Sequence, residues 1–338
     1  MDKTLKYIIL IFQKVSFGCF LLLWCSSFSQ IQADSLPKEN AYIEKYDDFL
    51  STRFSVNNGF QSFNVDGGNT QFTLSPNQQI KSTLTIMFRF IEIDLGYTPT
   101  FLKFNRDDDI RGKTKSFAIG TRFYHKKWMQ NLQYMTNKGY YVDGSEIGLD
   151  QNILFSDLKV VKIGGSTSYI FNPNYSFRAI YTQSEWQKKS AGSLVPSISY
   201  YFTKITDNNS GTDHNFDIAI GPGYFYNLVL DERFLVSGGV SGGIGYNSIK
   251  SSYDDGRPDE KNDGISWQAQ YRIAVGYNTN RFYSGANFNF NSFYHNSGPG
   301  INLEDQQHYL EFYIGYRFKV ADKYLKKFDE VTSLKKKE

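Results

Sequence analysis

The sequence predicts an all-β fold: a closed antiparallel transmembrane β-barrel of about 12 strands (12–14). Three observations carry this. Apolar and polar residues alternate with period two through most of the chain, as they do along a strand with one greasy face. Several alternating runs span 12–15 residues, against the five or six or so usual in globular sheets. The 338 residues include 29 Phe and 25 Tyr but only 8 Pro, while the mean hydropathy is −0.45. Many aromatics in a polar average fit strands whose other face is wet. The negative hydropathy excludes a bundle of transmembrane helices, each needing about 20 apolar residues. With 37 Lys+Arg against 34 Asp+Glu, no concentrated basic face points to nucleic acid.

Residues 1–29 have the three parts of a secretory signal peptide. Lys3 and Lys6 supply the positive start, Val15 to Cys25 the apolar run, and Ser27 and Ser29 the small residues of a cleavage site before Gln30. Trp24 is too large to precede a lipidated Cys25, and most of the apolar run follows Cys19. Both cysteines lie in this segment, so the exported chain is expected to hold no disulfide and no thiol site. Residues 30–48 read as a polar N-terminal periplasmic lead, and 49–320 as the barrel.

Along the barrel the alternation is explicit. Ile265, Trp267, Ala269, Tyr271, Ile273, Val275 and Tyr277 oppose Ser266, Gln268, Gln270, Arg272, Ala274 and Gly276. Leu310, Phe312, Ile314, Tyr316, Phe318 and Val320 oppose Glu311, Gly315, Arg317 and Lys319. Phe282, Ala286, Phe288, Phe290 and Tyr294 repeat the pattern, as do Leu50, Thr52, Phe54 and Val56 near the start. Turn residues fall at Lys126-Lys127, Asn172-Pro173-Asn174, Asp231-Glu232 and Asn278-Thr279-Asn280. Thirteen strands emerge, one of them over 175–182. A closed bacterial barrel of one chain needs an even number, so a strand is miscounted, and 60–74 is the likeliest omission.

Lipid reverses the polarity of a soluble sheet, placing the apolar face outside and the polar face in the lumen. Trp267, Tyr277, Phe282 and Tyr294 lie near strand ends, where aromatic girdles sit. The polar faces carry Gly, Asn, Gln, Ser and both signs of charge. Gly315 to Val320 has the form of a barrel-assembly signal, although an 18-residue tail follows it.

The segment Ser176-Phe177-Arg178-Ala179, with Gln183, Glu185 and the run Gln187-Lys188-Lys189-Ser190-Ala191-Gly192-Ser193, resembles a Bacteroidota family known only as a domain of unknown function (family 4421). Tyr46-Asp47-Asp48, Ser75-Pro76-Asn77, Lys113-Thr114-Lys115-Ser116-Phe117 with Trp128, Lys138-Gly139-Tyr140 and Lys162-Ile163-Gly164-Gly165 fit the same family. The resemblance spans roughly residues 42–320. It implies an exported outer-membrane β-barrel without an assigned activity, and supplies no catalytic residues.

Chemistry read from the residues is sparse. His295 and Ser297 are two apart, as in the His-x-Ser pair of membrane-embedded lipid hydrolases, where imidazole takes the serine proton. Ser297 runs into Gly298-Pro299-Gly300, however, so a loop histidine beside a serine is the plainer reading. Asp107-Asp108-Asp109 and the group Asp254, Asp255, Asp259, Glu260 and Asp263 lack the spacing of a calcium loop. No cofactor or metal is expected. Gln183, Glu185 and Gln187 share a face if extended, suggesting a rim turn, or a polar gate or docking element. The candidate lumen or rim cluster is Arg178, Glu185, Lys188, Lys189, Arg272, Glu311 and Arg317. The basic tail 321–338 places Leu325, Phe328, Val331 and Leu334 at helical spacing, although a solvated tail is an equal reading.

The sequence therefore suggests a non-enzymatic outer-membrane barrel, exported by its signal, that passes or binds a small solute or serves structure or assembly. Its expected partners are outer-membrane lipid and the barrel-assembly machinery. The alternatives are a lipid hydrolase using His295 and Ser297, and a soluble secreted barrel holding an apolar ligand.

Overall fold

A computed structural model describes residues 42–334, except 69, 90, 100, 182, 209, 299 and 300. The expected signal segment 1–29 and most of the lead lie outside the described residues.

A short strand, β1 (Ile43–Lys45), precedes the long β2 (Phe49–Asp66). β3 (Gln71–Ser75), β4 (Lys81–Phe88) and β5 (Ile91–Tyr97) follow. Helix α1 (Asp108–Arg111) lies in the loop before β6 (Lys115–His125), β7 (Trp128–Val142) and β8 (Ile153–Tyr169). Residues 170–190 then leave the sheet, holding only β9 (Glu185–Gln187). The chain returns through β10 (Ala191–Leu194), β11 (Ser197–Asp207), β12 (Gly211–Gly221) and β13 (Gly223–Leu230). It ends in β14 (Phe234–Tyr253), β15 (Glu260–Asn278), β16 (Phe282–Gly298), β17 (Ile301–Lys319) and helix α2 (Asp322–Leu334).

Ten strands close an antiparallel ring in the order β2-β3-β7-β8-β11-β12-β14-β15-β16-β17. β17 zips back onto β2 from Asn302↔Asp66 to Lys319↔Phe49, joining the two ends of the barrel chain. The ring is therefore smaller than the 12 to 14 strands expected. The cause is where the ladders run. Pro76 interrupts one long strand, since it has no N–H to give a ladder, and splits it into β3 and β4. β3 continues to β7 through Leu74↔Val142 and Ser75↔Tyr141, whereas β4 pairs with the first half of β2 and with β5. β6 pairs only with β7. Among the described residues no ladder joins β5 to β6, so these strands flank the ring without closing it. The omission expected at 60–74 is real: the far half of β2 and β3 occupy it.

Two further prolines bend the opposite wall without breaking it. β12 and β13 both pair with β14, either side of Pro222, and Gly242 N donates to the Pro222 carbonyl at 3.1 Å. Val195-Pro196 separates β10 from β11, bridged by Val195 N to Gly223 O at 2.7 Å.

The polarity is inverted relative to a globular sheet. On β15, Ile265, Trp267, Tyr271, Ile273 and Val275 are exposed outward, while Ser266, Arg272 and Ala274 are buried within. Ile273 is 59% exposed and its neighbour Arg272 is 1% exposed.

The start of β2, the end of β17 and the short connections after β4, β6, β13 and β15 share one mouth, called here the terminal mouth. The strand expected at 175–182 is absent. Its alternating Tyr175, Phe177, Ala179 and Tyr181 instead fold inward, where Tyr175 and Phe177 pack with Met129, Ile170, Ala191, Val195 and Phe225. Helix α2 confirms the helical reading of the tail over 322–334. Phe328 meets Phe88 edge-on at 5.1 Å, and Asp329 pairs with Arg89.

Candidate functional site

Among the described residues, the lumen gathers polar chemistry from many strands, and its lower part is filled by residues 170–190. This plug pairs with the lead: β1 and β9 form a two-stranded sheet in the register Ile43↔Gln187, Glu44↔Trp186 and Lys45↔Glu185. Gln187 is its hub. Its Oε1 accepts from Ser176 N at 2.9 Å and from Asn227 Nδ2 at 3.1 Å, and its Nε2 donates to the Asn174 carbonyl at 2.6 Å. Asn227, on β13, also donates to the Ser176 carbonyl at 3.0 Å. Trp186 donates its indole N–H to the Glu232 carbonyl at 2.9 Å, fixing the plug to the β13–β14 turn. Ser176, Trp186, Gln187 and Asn227 are buried, and their bonds replace those to water that burial removes.

The predicted cluster divides into three. Arg178, Glu185, Lys188 and Lys189 stay together at the terminal mouth. Glu185 accepts from Ser176 Oγ at 2.6 Å and lies 3.4 Å from Arg178, whose guanidinium stacks over Tyr124 at 4.7 Å. Lys188 reaches Glu44 at 3.0 Å, and Lys189 lies over the Tyr42 ring at 5.6 Å. Arg317 is separate from them and wholly buried. It donates to the Gln183 carbonyl through Nε and Nη2, at 3.3 and 3.1 Å, and to Asn278 Oδ1 at 2.7 Å. Its guanidinium covers Tyr46 at 3.8 Å, and burial pushes that hydroxyl up to about 12 although the nearby positive charge opposes the shift.

Arg272 and Glu311 lie deeper. Glu311 accepts from Asn287 Nδ2 at 3.0 Å and stands 3.9 Å from Arg53 Nε. Arg53 in turn donates to the Tyr181 carbonyl of the plug at 3.0 Å. Arg272 stacks on the Tyr181 ring at 3.5 Å, and Arg122 covers the same ring at 3.9 Å.

Above the plug lies a second charged layer that the sequence reading missed. Lys162 and Asp305 form an ion pair at 2.7 Å, both buried, and Gln61 donates to both Asp305 oxygens at 2.8 Å. The Lys162 ammonium also faces Tyr201 at 4.6 Å and Phe293 at 4.4 Å. Asp217 accepts from Asn247 Nδ2 at 2.7 Å, and His295 Nδ1 lies 3.5 Å from it. The loop reading of His295 is thus corrected: it sits on β16, paired in register with Ser266 and Leu303, its ring 1% exposed in the lumen. Ser297 is on the same strand rather than in a turn, and its side chain lies outside the described residues. The signal that could have found this layer is parity. Lys162 is the one charge on its face of β8, and Asp305 falls on the same face of β17 as Glu311 and Arg317.

The acidic loops are engaged in pairs. Asp255 meets Arg257 at 2.9 Å, Asp259 meets Lys250 at 2.9 Å, and Asp263 meets Lys261 at 2.8 Å. Hydrogen bonds from Arg257 hold the Asp255 carboxyl below the usual carboxylate range. Among the described residues, no three His, Cys, Asp or Glu side chains converge as metal ligands would.

Two clefts flank the filled lumen. One, of about 540 Å³, opens at the terminal mouth beside Tyr124, Tyr175 and Arg178. The other, of about 560 Å³, opens at the loop end beside Asn64, Tyr294 and Glu304.

A family model described as Domain of unknown function (DUF4421) matches residues 32–318. No curated protein matches the chain. Among solved structures, the chain is similar to the outer membrane protease OmpT from Escherichia coli, at 8% identity and a TM-score of 0.38, covering 83% of this chain and 99% of that one. It is similar to the P. putida toluene transporter TodX at 8% identity and 0.23, covering 80% and 90%. It is also similar to a Pseudomonas aeruginosa FadL homologue at 7% identity and 0.28, covering 81% and 91%. Likenesses of this size carry nothing about activity or ligand.

Proposed function

The chain belongs to the family of the domain of unknown function DUF4421, and from that premise we propose that it is a plugged, non-enzymatic outer-membrane β-barrel. Its role rests on the lumen, as passage or binding of a small solute, or on structural support of the membrane. One observation carries the reading: an outward belt of Ile, Leu, Val, Phe, Tyr and Trp surrounds an interior of buried Arg, Lys, Asp, Glu, Asn and Gln. Such a belt is unfavourable in water and natural in lipid. In this reading the terminal mouth faces the periplasm, since short turns lie on that side of such barrels. Outer-membrane lipid then covers the belt, and the barrel-assembly machinery closes β17 onto β2.

The hydrolase alternative finds no support in the geometry, because the His295 ring turns into the lumen toward Asp217 and away from the lipid face. The soluble alternative would leave the belt in water. Fractionation with the outer membrane and heat-modifiable gel migration test the proposal; a folded protein that stays soluble without detergent overturns it. With the plug in place, planar bilayers should show no sustained conductance.

A further inference from the structure

Arg272 is a buried lumen charge whose guanidinium nitrogens all lack a hydrogen bond among the described residues. It is 1% exposed to solvent. Its neighbours are rings: Tyr181 at 3.5 Å and Phe177 at 5.7 Å. A guanidinium does not shed its charge in proteins, and an isolated buried charge without a counter-charge is strongly unfavourable. Cation–π contact offsets part of this and leaves the N–H groups unused.

The surroundings are rich in donors. The Tyr124 hydroxyl, in the same field as Arg272, is buried and has no hydrogen-bond partner among the described residues, and the Tyr175 hydroxyl is buried in that field beside Ser237. Arg53, Arg122 and Arg178 add positive charge around Tyr181 and Tyr124. The nearby carboxylates are already engaged: Glu185 by Arg178 and Ser176, Glu311 by Asn287 and Arg53, and Asp94 by Thr85. The cleft of about 540 Å³ at the terminal mouth is lined by Tyr124, Tyr175 and Phe177, by Lys45, Lys126, Lys127 and Arg178, and by Asp47 and Glu185. Its basic side chains outnumber its carboxylates, and it reaches Phe177, which borders Arg272.

We propose that the lumen holds a binding site for a small free oxyanion of the carboxylate or phosphate class, with Arg272 as its charge partner and the Tyr124 and Tyr175 hydroxyls as further donors. The site deepens the reading of a solute-binding barrel. It depends on that reading only for the side from which the anion enters.

The test is thermal unfolding of the purified full-length protein in a non-ionic detergent. Inorganic phosphate or succinate is titrated at constant ionic strength, with chloride as the reference salt. A saturable rise in Tm is expected with wild type, and none with Arg272→Gln. Should Arg272→Gln fail to fold, Tyr124→Phe serves as the second variant, weakening apparent affinity by about tenfold, as loss of a hydrogen bond to a charged group does. A parallel arm adds phosphatidylglycerol to the micelles in place of the free anions. A shift seen only with the lipid, an equal shift in both variants, or a response no different from chloride overturns the proposal and leaves water as the partner of Arg272. Heat-modifiable migration of the same samples reports on the barrel separately, so the two readings fail independently.

Discussion

Arg317 and Gln183 lie 134 residues apart, and the guanidinium of one donates twice to the backbone carbonyl of the other. The last strand of the barrel thereby holds the plug directly. Arg317→Ala removes these bonds and the one to Asn278, and leaves the Gln183 carbonyl buried without its donor. The expected cost is about 2–4 kcal/mol, for lost charge-assisted bonds and an unsatisfied acceptor. The barrel ladder itself is untouched, so heat-modifiable migration should survive. Limited proteolysis should now cut within 170–190, and bilayer recordings should show openings that wild type lacks. An unchanged cleavage pattern would show that the plug is held elsewhere.

Three separated pieces of sequence meet at one knot. Thr114 Oγ1 accepts from Asn77 N at 2.8 Å and donates to the Gly139 carbonyl at 2.7 Å, while Asn77 Nδ2 donates to the Gly112 carbonyl at 2.9 Å. This knot fills the break that Pro76 makes between β3 and β4. Thr114→Val keeps the shape and removes both bonds, at an expected cost of about 1–3 kcal/mol. Gly139→Ala should cost more than Thr114→Val. Its φ of +94° disfavours a side chain, and the new Cβ would overlap the Lys113 carbonyl. Urea unfolding of the refolded variants in detergent measures both, and a Gly139→Ala effect smaller than that of Thr114→Val would contradict the packing described.

These residues also mark how far the sequence could be read. Ile273 and Arg272 are adjacent and fall on opposite faces, which period two states outright, so the barrel and its inside were legible. Tyr175, Phe177, Ala179 and Tyr181 obey the same period, yet they enter the lumen, because alternation records two environments and not hydrogen bonding to a neighbour strand. Asn77, Thr114 and Gly139 stood out as family-like pieces, but their meeting depends on a loop filling a break in the sheet. His295 had a recognisable neighbour in Ser297, whereas its partner Asp217 is supplied by a strand far away in the chain. Partners across a lumen follow from register, and register is set by all the ladders together.

The Lys162–Asp305 pair predicts a cycle of opposite signs. Lys162→Met strands a buried carboxylate and Asp305→Leu strands a buried ammonium, each expected to cost about 3–5 kcal/mol. The double variant Lys162→Met, Asp305→Leu removes both charges and should recover most of that loss, because replacing a whole buried pair by apolar groups is often neutral. Gln61 retains its donor unpaired, which limits the recovery. Unfolding free energies of the four proteins give the coupling, and simple additivity of the two single losses would mean that the lumen is wetter there than its 1–3% side-chain exposure indicates.

The outer belt can be tested at a single position. Ile273 is among the exposed residues of β15, next in sequence to Arg272 and paired with Phe288 of β16 and Gly238 of β14. If lipid surrounds it, Ile273→Arg places a charge against hydrocarbon and should destabilise the protein in bilayers by about 2–4 kcal/mol when near the midplane. If water surrounds it, the same change replaces an exposed apolar side chain with a solvated one, and stability should move by less than about 0.5 kcal/mol. Reversible urea unfolding from phosphatidylcholine vesicles distinguishes the two. The control is Asn287→Ala, in the lumen on β16, where Asn287 Nδ2 donates to Glu311 Oε2 at 3.0 Å. Its loss should cost about 1–3 kcal/mol in vesicles and in detergent alike, since its surroundings are protein in both. A belt substitution that costs nothing in vesicles, beside a lumen substitution that costs the same everywhere, would remove lipid from the outside of this barrel.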